Sequence, residues 1–439
     1  RTSKIYTGSK SAVKSLLQKN NFGEAVLDSL TDFKEGVKKS VVDTSIFGQF
    51  GIDYIGPFDG HNLKDLIQVF RIARKHEGPI VVHVITKKGK GYPLCEDDKE
   101  GYWHGVGAFD PQTGAALSTL PTHHLSWSQI ISETVTRLAK KDKDICAITP
   151  AMITGSKLEK FFALYPERAF DCGIAEEHAA TFAAGLAISK KKPFLSIYST
   201  FLQRAYDQIN HDICRMDLPV VIGIDRAQLA GEDGETHHGV FDIGIRSAIP
   251  NMILTQPKDA VEAQNLIYTG FHQSHPFAVR YPKGSVVYEE INNFQMMEIG
   301  KWELLMDNDT PDAYVITYGP EVDRLYQKFK INHLNIAVVN ARFIKPMDTE
   351  MLMAIAKDNK PIFTYEIDML KGGLGSAILE FYNDHGISCR IHRFGIGDNY
   401  VTHGSLNALK KALLVYMPLC ILIVFMLPPV YRLYMGIEE

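Results

Sequence analysis

Residues 170–188 read FDCGIAEEHAATFAAGLAI. A short apolar run stops at Gly173 and Ile174, and Glu176, Glu177 and His178 then open an Ala-rich helix. Passage from strand straight into helix is the repeating unit of a parallel α/β sheet. The same alternation extends in both directions. Strands are predicted at residues 79–85, 144–149, 168–174, 193–198, 219–224, 276–281, 313–318, 335–339 and 361–366. Several are continuously apolar, as in VVIGI, which fits strands covered by helices on both faces. Residues 127–140, 200–216 and 349–357 repeat apolar side chains at three- and four-residue spacing and are predicted as helices. The fold class is therefore α/β, in three consecutive domains with largely parallel sheets.

Composition agrees with that count. At roughly 150 residues per domain, 439 residues make about three domains, enough to bury true cores. The boundaries expected are 1–93, 127–282 and 300–410. Residues 94–126 form a linker rich in Gly, Pro, Thr and His, and 283–295 form a weaker break. The first piece has one confident core strand and reads as the remnant of a larger domain. A net charge of -4 provides no basic field for nucleic acid. The six cysteines are scattered without a CxxC pair, which suits reduced thiols in a cytoplasmic protein rather than zinc or disulfides. The chain begins with Arg1 in place of Met, and no signal peptide follows. Residues 411–439 are an atypical tail. Positions 412–430, ALLVYMPLCILIVFMLPPV, lack charge but are broken by Pro418, Pro428 and Pro429. A membrane anchor, a docking segment and a reading-frame change all account for this tail; the last is favoured, and membrane association is not expected.

Four segments carry chemistry. In the opening stretch, acidic residues in a first helical turn are explained by the helix dipole, and that suffices for Glu177. Glu176 differs, because a strand-to-helix turn places it at the carboxyl edge of the sheet, where ligands bind. Beside Ile174 it could exchange a proton with a bound heterocycle. In YSTFLQRAYDQINHD, residues 198–212, Tyr198, Phe201 and Arg204 offer a ring to stack on and a cation near a helix start. Taken alone, the segment is better explained by Phe201 in the core and Arg204 in a surface ion pair. In DRAQLAGEDGETHHG, residues 225–239, Arg226, Asp233, His237 and His238 share a polar loop too long for a mere connection. Adjacent histidines point apart, so proton transfer by one imidazole is preferred to a metal site. In FAVRYPKG, residues 277–284, Arg280 interrupts an apolar run and needs an anionic partner, either a ligand phosphate or a structural Asp. With Arg226 it would form a phosphate fork. Earlier in the chain, TKKGKGY at 86–92 brings Lys88 into a basic turn, and YWHG at 102–105 places His104 beside two aromatics.

Taken in order, these segments resemble the 1-deoxy-D-xylulose-5-phosphate synthase family of the transketolase superfamily. The resemblance rests on YIGPFDGHN, TKKGKGY, WHG, ITPAM, FDCGIAEEHA, YSTFLQRAYDQ, IDRA with GEDGETHHG, VRYPKG, RFIKPMD and HG, over roughly residues 1–410. It implies a thiamine-diphosphate enzyme that condenses pyruvate, with loss of carbon dioxide, with D-glyceraldehyde 3-phosphate, feeding isoprenoid, thiamine and pyridoxal precursors. Carried over by motif, Glu176 would contact N1′ of the cofactor's aminopyrimidine, with Phe201 stacked on it and Ile174, Arg204 and Lys88 on the cofactor side. His104 and His237 would transfer protons. Tyr198, Arg226 and Arg280 would bind the aldehyde's phosphate, with Asp233 as a polar organiser. Residues 1–93 would be the end of the diphosphate-binding domain, 127–282 the pyrimidine-binding domain and 300–410 the transketolase C-terminal-like domain. A homodimer, or a complement with a missing N-terminal portion, is implied.

The departures are specific. The family's magnesium-anchoring GDG motif, followed some 25–30 residues later by Asn, is absent, so no metal ligand is assigned and activity of the chain alone is doubtful. The isolated chain is expected not to be stabilised by thiamine diphosphate with Mg2+. Two alternatives stand beside the synthase. One is a transketolase-like or 2-oxoacid dehydrogenase β-type subunit that needs a partner, against which the phosphate-directed arginines argue. The other is an inactive, truncated regulatory or relic protein.

Overall fold

The computed structural model describes residues 45–98, 102–117 and 120–414. The atypical tail from 415 onward, and the first part of the expected diphosphate-domain remnant, lie outside the described residues. The chain divides into two compact units, Arg1–Leu117 and Ser118–Glu439.

In the first unit, β1 (Asp53–Asp59) pairs in parallel with β2 (Ile80–Ile85), and the helix Leu63–Ala73 connects them. Asn62 caps that helix by accepting from the Asp65 amide. The sequence reading assigned β2 and missed β1. The YIGPFD stretch mixes Gly, Pro and Asp into its apolar residues, which hides the strand period.

The second unit contains two larger sheets. The strands, in chain order, are β3 (His124–Ser126), β4 (Ile145–Thr149), β5 (Ala169–Asp171), β6 (Lys192–Tyr198), β7 (Val221–Ala227), β8 (Ile253–Thr255), β9 (Phe277–Pro282), β10 (Ser285–Val287), β11 (Glu303–Leu305), β12 (Ala313–Thr317), β13 (Ile336–Asn340), β14 (Phe343–Lys345), β15 (Ile362–Met369) and β16 (Ile391–Ile396). A seven-stranded sheet runs β14-β8-β9-β7-β6-β4-β5, parallel throughout except for the antiparallel β14. A five-stranded sheet runs β11-β13-β12-β15-β16, with only β11 antiparallel. This is the α/β architecture with largely parallel sheets that the sequence predicted. Every residue of β4, β12 and β13 is buried, as expected of strands covered on both faces.

Local sequence explains the helices around the site. Ser126 caps the helix Trp127–Lys141, and Lys140 and Lys141 close it at the negative end of its dipole. In the helix Glu176–Ile188, Ala179, Ala180, Ala183, Ala184 and Ala187 are buried, and small side chains let it lie close against the sheet. Two expectations need correction. The helix predicted over 200–216 is broken into α-helix Ser199–Leu202, 3-10 turn Gln203–Ala205, a short α segment and the π-helix Ile209–Cys214. The break frees the Leu202 carbonyl, which accepts from Arg246 Nη2 at 2.7 Å. The two expected linkers are also not plain connections: their ends pair as the antiparallel ribbon β3–β10.

Candidate active site

In the seven-stranded sheet, β5 and β6 flank β4 on opposite sides, which opens a crevice at the strands' carboxyl ends. The chemistry-bearing side chains follow these ends. Glu176 comes after β5, Phe201 and Arg204 after β6, Arg226 lies at the end of β7, and Lys283 follows β9.

Glu176 begins its helix and is only 2% exposed. Its carboxylate is held by Arg204 Nη1, whose own side chain is half exposed. The Arg204 guanidinium lies 5.0 Å from the Phe201 ring centroid. Phe201 stacks on Tyr198 at 5.8 Å and 16°, and meets the His237 ring edge-on at 5.4 Å. Arg226 covers the other ring, 4.3 Å from the Tyr198 centroid, and donates through Nη1 to Asp233 Oδ2 at 3.1 Å. Lys283 Nζ donates to the same oxygen at 2.8 Å. Glu176, Arg204, Phe201, Tyr198, His237, Arg226, Asp233 and Lys283 thus form one chain of contacts. Ile174 precedes it on the surface, 82% exposed. Glu177 is exposed, in keeping with a dipole-favoured surface acid.

Backbone shape aims these groups. The register slips at the end of β7, between Ile224 and Ala227, and Arg226 has φ +54. A bulge with a left-handed non-glycine residue re-aims a side chain at some cost in strain, and both features collect at functional sites. Gly239 is required beneath it, since a Cβ there would meet the Arg226 carbonyl oxygen at 2.4 Å. Gly155 is required beside Tyr198, whose hydroxyl would lie 1.9 Å from an added Cβ.

The electrostatics favour an anion. Burial alone would raise the Asp233 carboxyl, but Lys283 and Arg226 outweigh it and hold it below the usual carboxylate range. Burial raises the Tyr198 phenol despite Arg226 beside it. Burial weakens the Arg226 cation, yet Tyr198, Asp225 and Asp233 together more than compensate. Arg226 and Lys283 bring two cations to the Asp233 carboxylate, and Asp225 acts on Arg226 from its buried side. His237 bonds Thr236 through Nδ1 at 2.9 Å, and its neighbour His238 points elsewhere. His238 is buried and accepts from the Ala230 amide at 2.9 Å.

Arg280 is the correction. It is fully buried, forks onto Asp242 through Nε at 2.7 Å and Nη2 at 2.8 Å, and reaches Asp368 at 2.8 Å and Gln256 at 2.5 Å. Its donors are spent on protein carboxylates, so it is not available to a ligand phosphate. Lys283, three residues on, takes the place expected for it beside Arg226. The sequence left a ligand phosphate and a structural Asp both open for Arg280, and the packed fold decides for Asp242 and Asp368. In the first unit, Lys88 Nζ and His104 Nδ1 lie 2.7 Å apart and both side chains are exposed. Asp225, which the sequence reading passed over, is completely buried next to Arg226.

Comparisons with known proteins bear on this arrangement. Family models match in chain order: 1-deoxy-D-xylulose-5-phosphate synthase over residues 1–86, the transketolase pyrimidine binding domain over 123–287, and the transketolase C-terminal domain over 300–417. The 1-deoxy-D-xylulose-5-phosphate synthase of Listeria innocua is 47% identical over 419 residues, 94% of this chain and 66% of that protein. The chain belongs to the 1-deoxy-D-xylulose-5-phosphate synthase family. The enzyme of that name from Geobacillus sp. strain WCH70 is 47% identical over 382 residues, 86% of this chain and 60% of its own length. The chain therefore spans about two thirds of these synthases, at most 66%. Among solved structures, the fold is similar to a split gene transketolase, described as an inactive beta4 tetramer. The TM-score is 0.57 at 24% identity, covering 66% of this chain and 93% of that one. A Pichia stipitis transketolase mutant aligns with a TM-score of 0.54 at 14% identity, covering 67% and 44%.

Proposed function

We propose that this chain supplies the pyrimidine-binding and phosphate-binding residues of a 1-deoxy-D-xylulose-5-phosphate synthase, which condenses pyruvate, with loss of carbon dioxide, with D-glyceraldehyde 3-phosphate. The observation that carries the reading is the continuous run of contacts from the buried Glu176 carboxylate to the Arg226–Asp233–Lys283 cluster. It has a buried acid at one end and paired cations at the other.

The residues fit the pyrimidine part of thiamine diphosphate. A buried carboxylate beside a partly exposed phenylalanine, with Ile174 bare at the entrance, suits a flat heterocycle that carries a protonatable nitrogen. The cofactor, when bound, supplies the electron sink for decarboxylation. Magnesium is different: among the described residues no group of three His, Cys, Asp or Glu could hold a metal ion. Glu176, oriented by Arg204, holds a proton at a pyrimidine nitrogen. Phe201 fixes the ring plane. His237 moves a proton at the aldehyde oxygen. Arg226, Lys283 and Tyr198 bind the phosphate and orient the aldehyde. Lys88 and His104 are assigned to the cofactor and proton-transfer roles of the same reaction on family likeness alone. The same likeness supports residues 127–282 and 300–410 as the pyrimidine-binding and C-terminal domains, a dimeric assembly, and a cytoplasmic enzyme. Among the described residues no helix is long and apolar enough to cross a membrane.

A phosphorus NMR titration with D-glyceraldehyde 3-phosphate tests the phosphate end. Binding should be lost in Arg226→Ala and kept in Arg280→Lys. Equal binding by wild type and Arg226→Ala would remove the basis for the reading.

A further inference from the structure

Asp225 has no part in the reaction outlined above, yet it is the most unusual group near the site. It lies in β7 directly across the ladder from Tyr198 and immediately before Arg226. It is 0% exposed, and among the described residues neither carboxylate oxygen has a hydrogen-bond partner. The donors that approach it, the Ser128 hydroxyl and the Arg226 amide, fall short of hydrogen-bond geometry. A buried, unbonded carboxylate is costly, and it is kept only where its charge serves something.

What faces it is the inner side of the anion site. Arg226 is its strongest charged neighbour, and Lys157 is a weaker one. Its negative charge also bears on the Tyr198 and Tyr281 phenols. Asp233 and Lys283, both partly exposed, meet with Arg226 at Asp233 Oδ2, and His237 lies edge-on to Phe201, which stacks on Tyr198. Burial pushes the Asp225 carboxyl up to about 6, with Arg226 pulling against it. The free protein thus carries it mostly ionised at neutral pH, held there by the same guanidinium that a phosphate would engage.

We propose that Asp225 couples anion binding to proton uptake: when a doubly charged phosphate group settles on Arg226 and Lys283, the buried carboxylate takes one proton from solvent and becomes a neutral carboxylic acid. The anion engages the Arg226 charge that stabilised the carboxylate and adds repulsion of its own. Like charge and lost cation act in the same direction, both toward the protonated form. The proton-to-carboxylate balance is one for one, and no other group changes state. This rests on the reading of Arg226 and Lys283 as the phosphate site. The consequence is a site that is electrically relaxed only when filled, and whose affinity for dianions depends on pH.

Sulfate is the probe, because it stays a dianion across the range and contributes no titration of its own. Its binding is measured by calorimetry at fixed ionic strength from pH 5.5 to 8.5, in paired buffers that report proton uptake. Wild type should bind with constant affinity below about pH 6, then lose up to about tenfold per pH unit above it, with net proton uptake near pH 7. Asp225→Asn should bind at pH 8 at least as tightly as wild type does at pH 6, with little slope. His237→Gln, which removes the imidazole from the same run of contacts, should keep the wild-type slope and uptake, and this holds the test open if Asp225→Asn does not fold. Binding with a flat pH profile and no uptake overturns the coupling but leaves the phosphate site standing. A slope that survives Asp225→Asn, or disappears in His237→Gln, also overturns the coupling. Absence of sulfate binding at every pH overturns both the coupling and the phosphate-site reading.

Discussion

Lys283 Nζ meets Asp233 Oδ2 at 2.8 Å, on the carboxylate that also receives Arg226 Nη1. Three residues earlier, Arg280 is sealed between Asp242 and Asp368. One short motif therefore contains a partly exposed cation and a core cation, and substitutions should separate them. Lys283→Ala should weaken phosphate binding about tenfold or more while changing stability by less than about 1 kcal/mol, as for other exposed pairs. Arg280→Ala should cost about 3–5 kcal/mol, because it strands buried carboxylates. Urea denaturation alongside sulfate titration checks both. Similar stability losses in the two variants would contradict the division.

Glu176 and Arg204 form a pair of unequal burial, the acid almost enclosed and the cation half in solvent. Arg204→Met leaves the acid buried without its donor and should destabilise the protein by about 1–3 kcal/mol. Adding Glu176→Gln to Arg204→Met should recover part of that loss. Denaturation midpoints of the two singles and the double variant read the coupling directly. Purely additive losses would mean that the pair is incidental.

Gly155 is fixed by the Tyr198 hydroxyl, which leaves no room for a Cβ. Gly155→Ala should push the Tyr198 ring out from under Arg226, lowering sulfate affinity several-fold with only modest loss of stability. Wild-type affinity in this variant would show that Tyr198 does not position the guanidinium.

Glu262 is buried, and burial drives its carboxyl up to about 7 despite Arg342 nearby. A carboxyl with a raised folded-state value binds protons more tightly in the folded state. Its contribution is therefore fully present below the unfolded value near 4.5 and is lost as pH rises through about 7. Glu262→Gln should abolish that part of the pH dependence, gaining on wild type between pH 5 and 8. Thermal unfolding at the two pH values gives the comparison, and parallel curves would refute it.

Much of this molecule is written in local sequence. Continuous apolar runs identify β4, β6, β7, β12 and β13 because helices cover both of their faces, and strand-to-helix turns place Glu176 and Phe201, with Arg226 at the end of β7, at one sheet edge. Short or mixed strands escape notice: β8 and β14 are three residues each, and β3 and β10 exist only through their mutual pairing. The Arg280 misreading has the same root. Its partners Asp242 and Asp368 are distant in sequence, so only the packed fold shows that the guanidinium is already satisfied. Asp225 was hidden because nothing in IDRA says which neighbour lies buried.

Decarboxylative condensation with a phosphorylated aldehyde is the reaction proposed for this site. It is tested by carbon dioxide release from labelled pyruvate when the chain is combined with a separately expressed N-terminal portion of a family member, thiamine diphosphate and Mg2+. Release should depend on D-glyceraldehyde 3-phosphate, disappear in Glu176→Ala, and require a much higher aldehyde concentration in Lys283→Ala. Release that is indifferent to the aldehyde, or undiminished in Glu176→Ala, would contradict the account.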